Sequence, residues 1–182
     1  LPQQKYLTIF FSSTININSD NKGITSILLY NFDFRNMNKK RVYFYYPEKK
    51  YRIEDRCGLK QAISELFWKE RREVGRINYI FCSDEYLLLI NRQYLNHDYY
   101  TDIITFDLSS DPANVVSDIY VSVDRVSENA KTLGIPRSRE LVRVIFHGAL
   151  HLCGYKDKSR NDISVMRRKE NYYLKQYFKD SH

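Results

Sequence analysis

Residues 138–157, SRELVRVIFHGALHLCGYKD, are the stretch that decides the fold and the chemistry of this chain. Most of these side chains are apolar, and four polar ones recur at intervals of three, four and four residues: Glu140, Arg143, His147 and His151. Side chains at this spacing share one stripe of an α-helix. We therefore predict a mostly buried helix from an N-cap at Ser138 to about Cys153. Its polar stripe must face a partner, a metal or a cleft, because burying it unpaired is costly.

His147 and His151 lie one turn apart, a spacing that allows both imidazoles to bind one metal ion. Gly154 can end the helix in a left-handed conformation, and the chain reversal would bring Asp157 back as a third ligand. Asp157 is otherwise a loop residue or a helix cap. Two nitrogens and one carboxylate leave a tetrahedral zinc ion with an open position, as in catalytic sites, whereas structural zinc needs a fourth protein ligand. We predict one zinc ion per chain.

The spacing of this segment also resembles the extended zinc motif of metalloproteases, in which a Glu after the first His is the general base. Gly148 occupies that position here. Cleavage of a phosphodiester depends less on such a base, because the metal neutralises phosphate charge while it activates water. The pattern therefore favours a phosphodiesterase and leaves a zinc metallopeptidase or amidase as the alternative.

The remaining sequence alternates between strand-like and helix-like segments, which is typical of an α/β or α+β layer fold. A length of 182 residues suits one domain. Apolar alternation predicts strands at 42–46, 77–82, 103–106 and 119–123. Helical periodicity, caps and breakers predict helices at 59–69, 84–94 after an N-cap at Ser83, 124–133 and 162–178.

Residues 1–36 differ in composition from the rest, being poor in charged residues and rich in Asn and Ser. They begin with Leu1 and run directly into Met37. We predict that they are an N-terminal extension, either poorly ordered or upstream of the true start residue. Residues 37–182 are then expected to form a single domain.

The chain carries a net charge of +7 and contains 16 Tyr and 10 Phe. A basic, aromatic-rich domain favours a polyanionic partner. Three cysteines without a CxxC spacing fit reduced thiols better than a disulfide framework, which predicts a cytoplasmic protein. The apolar runs near the N-terminus are too short to span a bilayer, so no membrane partner is expected.

Residues 147–155 match every defined position of the start of HGxLHLxGYDH, and the chain therefore resembles the YbeY family of bacterial endoribonucleases, or rRNA maturation factors. The last two positions of that signature are Lys156 and Asp157 here, so Asp replaces the family's third zinc-binding His. A second family block, LNxxYRxxDxxTDVLSF, aligns without gaps to residues 90–106, with Leu95 in place of the family's Arg. The family's GDI strand corresponds to residues 117–119.

The resemblance implies an α+β fold, in which a small mixed sheet packs with helices as an α/β/α sandwich and the zinc-motif helix lines a basic cleft. It also implies a zinc-dependent, single-strand-specific endoribonuclease acting in 16S rRNA 3′-end maturation and ribosome quality control. The expected partner is rRNA within the small ribosomal subunit, and not DNA. Because Leu95 replaces the family's Arg, a non-catalytic ribosome assembly factor with a structural metal is a further alternative.

Several polar residues are candidates for supporting roles. Arg143 or Arg92 is expected to supply the cation that Leu95 lacks. Three residues are expected either to orient the His ligands or to contact substrate: Thr101, Asp102 and Asp118.

Overall fold

The computed structural model describes residues 7–10, 41–48, 51–111 and 113–179. Within these residues there are five strands and five helices. In chain order they are β1 (Leu7–Phe10), β2 (Val42–Tyr45), α1 (Arg56–Lys69), β3 (Glu73–Cys82), α2 (Asp84–Leu95), β4 (Ile103–Asp107), β5 (Asn114–Ser122), α3 (Val123–Leu133), α4 (Arg137–Leu152) and α5 (Arg160–Lys179).

The described strands form one mixed sheet in the order β1-β4-β5-β3-β2. The β1–β4, β3–β5 and β2–β3 pairs are parallel, and the β4–β5 pair is antiparallel. Parallel neighbours need long connections, which helices supply here, while antiparallel neighbours need only a short loop. The predicted α+β fold with a small mixed sheet is confirmed.

Helices cover both faces of the sheet. Successive strand side chains point to opposite faces, and apolar side chains on each face pack against helices. Ile103 and Ile119 belong to the larger core, which also contains buried side chains of α1, α3, α4 and α5. Ile104, the residue after Ile103 on β4, belongs to a smaller core on the other face, where α2 contributes Leu87. This three-layer arrangement confirms the predicted α/β/α sandwich.

Helix α4 is buried from Glu140 to its end at every residue except Arg143, as its apolar sequence predicts. It begins earlier than expected. Pro136 occupies the N-cap position, and its carbonyl accepts hydrogen bonds from the amides of Arg139 at 3.0 Å and Glu140 at 3.2 Å. The fixed φ of proline suits the start of a helix. The prediction of Ser138 as the N-cap is therefore wrong, since Ser138 lies in the first turn.

The other predicted segments are confirmed, but β3 begins at Glu73 and β5 at Asn114, four and five residues before the predicted starts. Ser83 caps α2 by accepting a hydrogen bond from the amide of Tyr86, and Gly134 ends α3 in the left-handed conformation. The boundary between β5 and α3 also differs. The strand predicted at 119–123 ends at Ser122, whose hydroxyl accepts from the amide of Arg125 at 3.1 Å and so caps α3. Val123 therefore begins a helix instead of ending a strand.

Of the predicted N-terminal extension, the structure describes the strand Leu7–Phe10, which pairs in parallel with β4. The other residues of that extension lie outside the described residues. The division of the chain at residue 37 stays a prediction. Among the described residues, every helix is too short or too polar to cross a membrane.

Candidate metal centre

Helix α4 lies close to the sheet, and this contact fixes the direction of its polar stripe. Gly148 faces the sheet so closely that a Cβ built there would lie 2.6 Å from Ile103 Cδ1 and 3.2 Å from Thr105 Oγ1. With position 148 facing β4, the side chains of His147 and His151 point away from the strands toward α5 and the loop after α4. Both imidazoles are buried, with exposed fractions of 1% and 5%.

The chain reverses directly after α4, as Gly154 predicts. Gly154 has a φ of 95°, and the amide of Tyr155 donates to the carbonyl of Leu150 at 3.1 Å. This turn brings the Asp157 carboxylate to the two imidazoles. Its Oδ2 lies 3.8 Å from His147 Nε2 and 3.7 Å from His151 Nε2.

The hydrogen bonds of the two rings direct their remaining nitrogens at one point. His147 Nδ1 lies 2.7 Å from Glu170 Oε1, and His151 Nδ1 lies 2.8 Å from the Tyr155 carbonyl. Both partners are acceptors, so each Nδ1 carries the hydrogen of a neutral imidazole and each Nε2 presents a lone pair. The two Nε2 atoms are only 2.8 Å apart. Two lone pairs and a carboxylate that converge in this way repel one another unless a cation lies between them.

The donor set fits zinc. In a tetrahedral zinc site with bonds of about 2.0–2.2 Å, ligand atoms lie roughly 3.3–3.5 Å from one another. The measured separations of 2.8, 3.8 and 3.7 Å bracket this value. Among the described residues the group consists of His147, His151 and Asp157, with all three ligand atoms within 4.8 Å of one another. Three protein ligands correspond to a catalytic zinc site with an open position.

Burial and neighbouring charges shift the pKa values of His147 and Asp157 toward the forms that bind metals. Burial lowers the pKa of His147, even though Glu170 and Asp157 act in the opposite direction. Partial burial alone would raise the pKa of Asp157, but His151 and His147 outweigh it and hold that pKa below its ordinary value. A neutral imidazole and an ionised carboxylate are the forms that ligate a divalent cation.

Glu170 on α5 connects the candidate ligands to a buried ionic cluster. Its second oxygen, Oε2, accepts from Arg143 Nη1 at 3.3 Å. Arg143 Nε also lies 3.3 Å from Glu140 Oε2, and the arginine side chain is 23% exposed. Arg143 thus contacts two buried carboxylates, of which Glu170 supports His147. Glu170 is not among the predicted site residues, although a carboxylate on the buried stripe of an amphipathic helix is a detectable signal.

A second set of hydrogen bonds supports His151 through the loop that follows α4. The Tyr155 hydroxyl donates to Glu70 Oε2 at 2.8 Å, and Lys169 Nζ donates to Glu70 Oε1 at 2.7 Å. The Tyr173 hydroxyl also donates to Glu70. Burial would raise the pKa of Glu70, but these donors outweigh it and hold the pKa below its ordinary value.

Thr101 and Asp102 lie at the start of β4 and are both buried. Asp102 Oδ2 accepts from the Asn129 side chain at 3.1 Å. Burial, reinforced by the negative charges of Glu140 and Glu170, raises the pKa of Asp102 to about 7. Asp102 thus interacts electrostatically with the carboxylates behind His147. Thr101 donates to the carbonyl of Ile103 at 3.3 Å.

The structure places Asp118 and Arg92 apart from the metal group. Asp118 precedes the core residue Ile119 on β5, so its side chain points to the sheet face opposite α4, where it accepts from Asn78 Nδ2 at 2.7 Å. Arg92 lies on α2, which packs on that same opposite face, and it forms an exposed ion pair of 2.6 Å with Asp98.

Comparisons with known proteins agree with this architecture. The model of the family described as Endoribonuclease YbeY matches residues 46–178. The chain is 43% identical over 138 residues to an endoribonuclease YbeY of Cytophaga hutchinsonii, covering 76% of this chain and 96% of the relative. It is 48% identical over 125 residues to that of Flavobacterium psychrophilum, covering 69% and 89%.

Among solved structures, the chain resembles the solution structure of a Thermotoga maritima protein with a TM-score of 0.58 and 28% identity. The match covers 76% of this chain and 90% of the other. The residues that the family model matches include β3, β4 and β5, the His pair, the turn at Gly154 and Glu170. This chain belongs to the YbeY family of endoribonucleases.

Proposed function

We propose that this protein is a zinc-dependent, single-strand-specific endoribonuclease that acts in the cytoplasm on the small ribosomal subunit, in 16S rRNA 3′-end maturation and ribosome quality control. One observation carries the proposal. In a chain that belongs to an endoribonuclease family, two imidazole lone pairs and a carboxylate converge within 4.8 Å. That convergence calls for a divalent cation, and three ligands leave a position for chemistry.

The chain's own residues have distinct tasks in such a site. His147, His151 and Asp157 would hold the ion, while Glu170 and the Tyr155 carbonyl keep each Nε2 deprotonated and correctly directed. A zinc ion held there supplies Lewis-acid activation of water and neutralises charge on the phosphodiester. Both imidazoles are buried, so bulk water does not compete with the metal ion for their Nε2 atoms.

The charge of the protein supports an RNA substrate. The chain has 29 Lys and Arg against 22 Asp and Glu. Exposed cations lie on both sides of the candidate ligand Asp157 in the chain, at Lys156, Lys158 and Arg160. Backbone phosphates are bound by such side chains irrespective of sequence, so rRNA is the partner that we propose, and DNA is not expected.

A metallopeptidase is less well supported, because position 148 cannot provide the usual base. Gly148 packs against Ile103 and Thr105, so a Glu there would be directed into the sheet. The buried carboxylate that contacts His147, Glu170, has both oxygens engaged, one by His147 and the other by Arg143. We therefore keep the peptidase or amidase as the weaker alternative.

A non-catalytic assembly factor with a structural metal is favoured by one observation, the residue at position 95. Leu95 is partly buried and packs with the small core that contains Leu87, Ile104 and Phe106. The cation that the family resemblance implies at this position is therefore replaced by an apolar contact. The nuclease proposal and the assembly-factor alternative differ in whether the protein cleaves RNA.

The test measures zinc content by elemental analysis together with cleavage of single-stranded RNA. It uses the full chain, purified without chelator, and the variants His147→Ala and Asp157→Ala. We expect about one zinc ion per chain in the wild type and loss of both zinc and cleavage in the two variants. His97→Ala, which removes a histidine stacked on Tyr99 away from the group, is the matched control and should retain both.

Two outcomes would overturn the nuclease proposal. Zinc-loaded wild type that cuts no RNA, while Leu95→Arg restores cleavage, would favour the assembly factor. Cleavage that persists after zinc is lost from His147→Ala would remove the metal from the proposal.

A further inference from the structure

A groove runs between the C-terminal end of α1 and the exposed side of α5. Its walls contain Lys69 at the end of α1, Glu70 directly after it, and Arg168, Lys169 and Tyr172 from α5. Three cations therefore face one carboxylate across this groove. The excess positive charge suits an anionic ligand.

The cations of the groove differ in how they are neutralised. Lys169 Nζ lies 2.7 Å from Glu70 Oε1 and is held in place by that ion pair. In the part of the chain that the structure describes, neither Lys69 nor Arg168 has a carboxylate within ion-pair distance. Both side chains are exposed, so their charges are available to a ligand.

An exposed aromatic ring lines the same groove. Tyr172 is 48% exposed, and Lys69 Nζ lies 5.8 Å from the centre of its ring. The neighbouring Tyr173 ring contacts Tyr172 at a centroid distance of 5.0 Å and an interplanar angle of 82°. Proteins that bind single-stranded nucleic acids combine an exposed aromatic ring, on which a base stacks, with cations that contact the phosphates.

Two contacts join the groove to the loop that carries the candidate ligand Asp157. Lys169 Nζ lies 5.0 Å from the ring centre of Tyr155, whose hydroxyl donates to Glu70 in the groove wall. The carbonyl of the same Tyr155 accepts from His151 Nδ1 at 2.8 Å. Tyr155 thus contacts two residues of the groove with its side chain and the candidate ligand His151 with its backbone carbonyl.

We infer that this groove binds a segment of single-stranded RNA that extends from the metal centre. Lys69 and Arg168 contact the phosphates of the segment, and one base stacks on Tyr172. The inference rests on the proposed nuclease function, since that function supplies the RNA. The groove is then a contact site distant from the cleaved bond. It favours substrates that are unpaired and long enough to occupy both the metal centre and the groove.

The test measures equilibrium binding of a labelled single-stranded RNA of about 20 nucleotides, a length that exceeds one groove. Fluorescence anisotropy is recorded with chelator present, so that cleavage does not interfere, at several salt concentrations. The variants are Lys69→Ala/Arg168→Ala and Tyr172→Ala, with Tyr172→Phe to retain the aromatic face. The control Arg76→Ala/Lys131→Ala removes the same charge from exposed positions on β3 and α3.

Phosphate contacts and base stacking leave different signatures. Each lost phosphate contact should flatten the slope of log K against log salt by about 0.7 for a single strand, so the double variant should lose about 1.4. Tyr172→Ala should weaken binding about tenfold without changing that slope, and Tyr172→Phe should restore the affinity. Equal thermal unfolding midpoints would show that all variants remain folded, as expected for exposed side chains.

The outcomes separate this inference from the proposed function. If the wild type cleaves RNA and the groove variants bind like the control, the groove inference is wrong and the nuclease proposal stands. If RNA binds with the predicted signatures but is never cleaved, the groove inference stands and the nuclease proposal fails. A wild type that binds no single-stranded RNA overturns the groove inference directly.

Discussion

Glu170 Oε1 lies 2.7 Å from His147 Nδ1, so a carboxylate on the last described helix sets the direction of a candidate metal ligand on α4. The same carboxylate accepts from Arg143, which holds it in place. A carboxylate behind an imidazole fixes the tautomer and raises the basicity of the nitrogen that binds the metal. Glu170 is therefore part of the metal centre even though it is not one of the three candidate ligands.

Replacing Glu170 should weaken metal binding while leaving the three candidate ligands unchanged. We expect Glu170→Ala to lower zinc affinity by roughly 10–100-fold, since the imidazole loses the partner that fixes its tautomer. Glu170→Gln, which keeps a carbonyl acceptor, should retain part of the affinity. Competition with a chromophoric chelator measures both values.

Glu85→Ala is the matched control for this experiment, because it removes an exposed glutamate from α2 on the opposite face of the sheet. Its zinc affinity should equal that of the wild type. If Glu170→Ala binds zinc as tightly as this control, the carboxylate has only a packing role and the assignment of Glu170 to the metal centre is incorrect.

Asp157 stands where the family signature has a histidine, and this difference should affect metal preference. Carboxylate oxygen suits Mn²⁺ and other hard cations, whereas imidazole suits Zn²⁺. We expect Asp157→His to raise the ratio of Zn²⁺ to Mn²⁺ affinity on the order of tenfold. The two affinities are measured by direct competition between the metals. Lys158→His adds a histidine next to the group and serves as control, and an equal rise in that variant would show that position 157 is not a ligand.

The candidate ligands were predictable from sequence because they are local. His147, His151 and Asp157 lie within eleven consecutive residues, and helix periodicity together with one left-handed glycine brings them together. Their supporting residues are not local. Glu170 contacts His147 at a sequence separation of 23 residues, and Lys169 contacts Glu70 at a separation of 99 residues. Such contacts depend on how α1 and α5 pack, which periodicity does not determine.

Asp118 illustrates a different limit of sequence reasoning. Alternation along β5 predicts that Asp118 and Ile119 point to opposite sides of the sheet. It does not predict which side carries α4, so Asp118 could not be placed relative to the His pair. In the structure Ile119 faces Gly148 of α4, and Asp118 therefore points away from the candidate metal centre.

Glu70 should make the stability of the fold depend on pH. Its pKa in the folded protein is below the ordinary value of 4.5, because Lys169, Tyr173 and Tyr155 favour the ionised form over the opposing effect of burial. The ionised carboxylate therefore stabilises the fold above about pH 4.5, and this contribution disappears as pH falls through the lower folded-state pKa. Near neutral pH, Glu70→Gln should lower the free energy of unfolding by about 1–3 kcal/mol.

Urea unfolding at a series of pH values measures this effect. The stability difference between wild type and Glu70→Gln should be constant above about pH 5.5 and should shrink below about pH 4.5. Glu73→Gln provides the control, because its ion pair with Arg41 is 64% exposed on the glutamate side and such pairs contribute about 0–1 kcal/mol. A difference that persists unchanged at low pH would contradict the role of the Glu70 charge.

Gly148 should tolerate no side chain, because α4 lies directly on β4 and β5 there. In Gly148→Ala the new Cβ would lie 2.6 Å from Ile103 Cδ1, and this overpacking should lower the free energy of unfolding by about 1–3 kcal/mol. Ile103→Val removes that same Cδ1 and, as a single change, should cost about 0.5–1.5 kcal/mol. If the contact is the cause, the double variant Gly148→Ala/Ile103→Val must be more stable in urea unfolding than the sum of the two single losses predicts, whereas strict additivity would place the strain elsewhere.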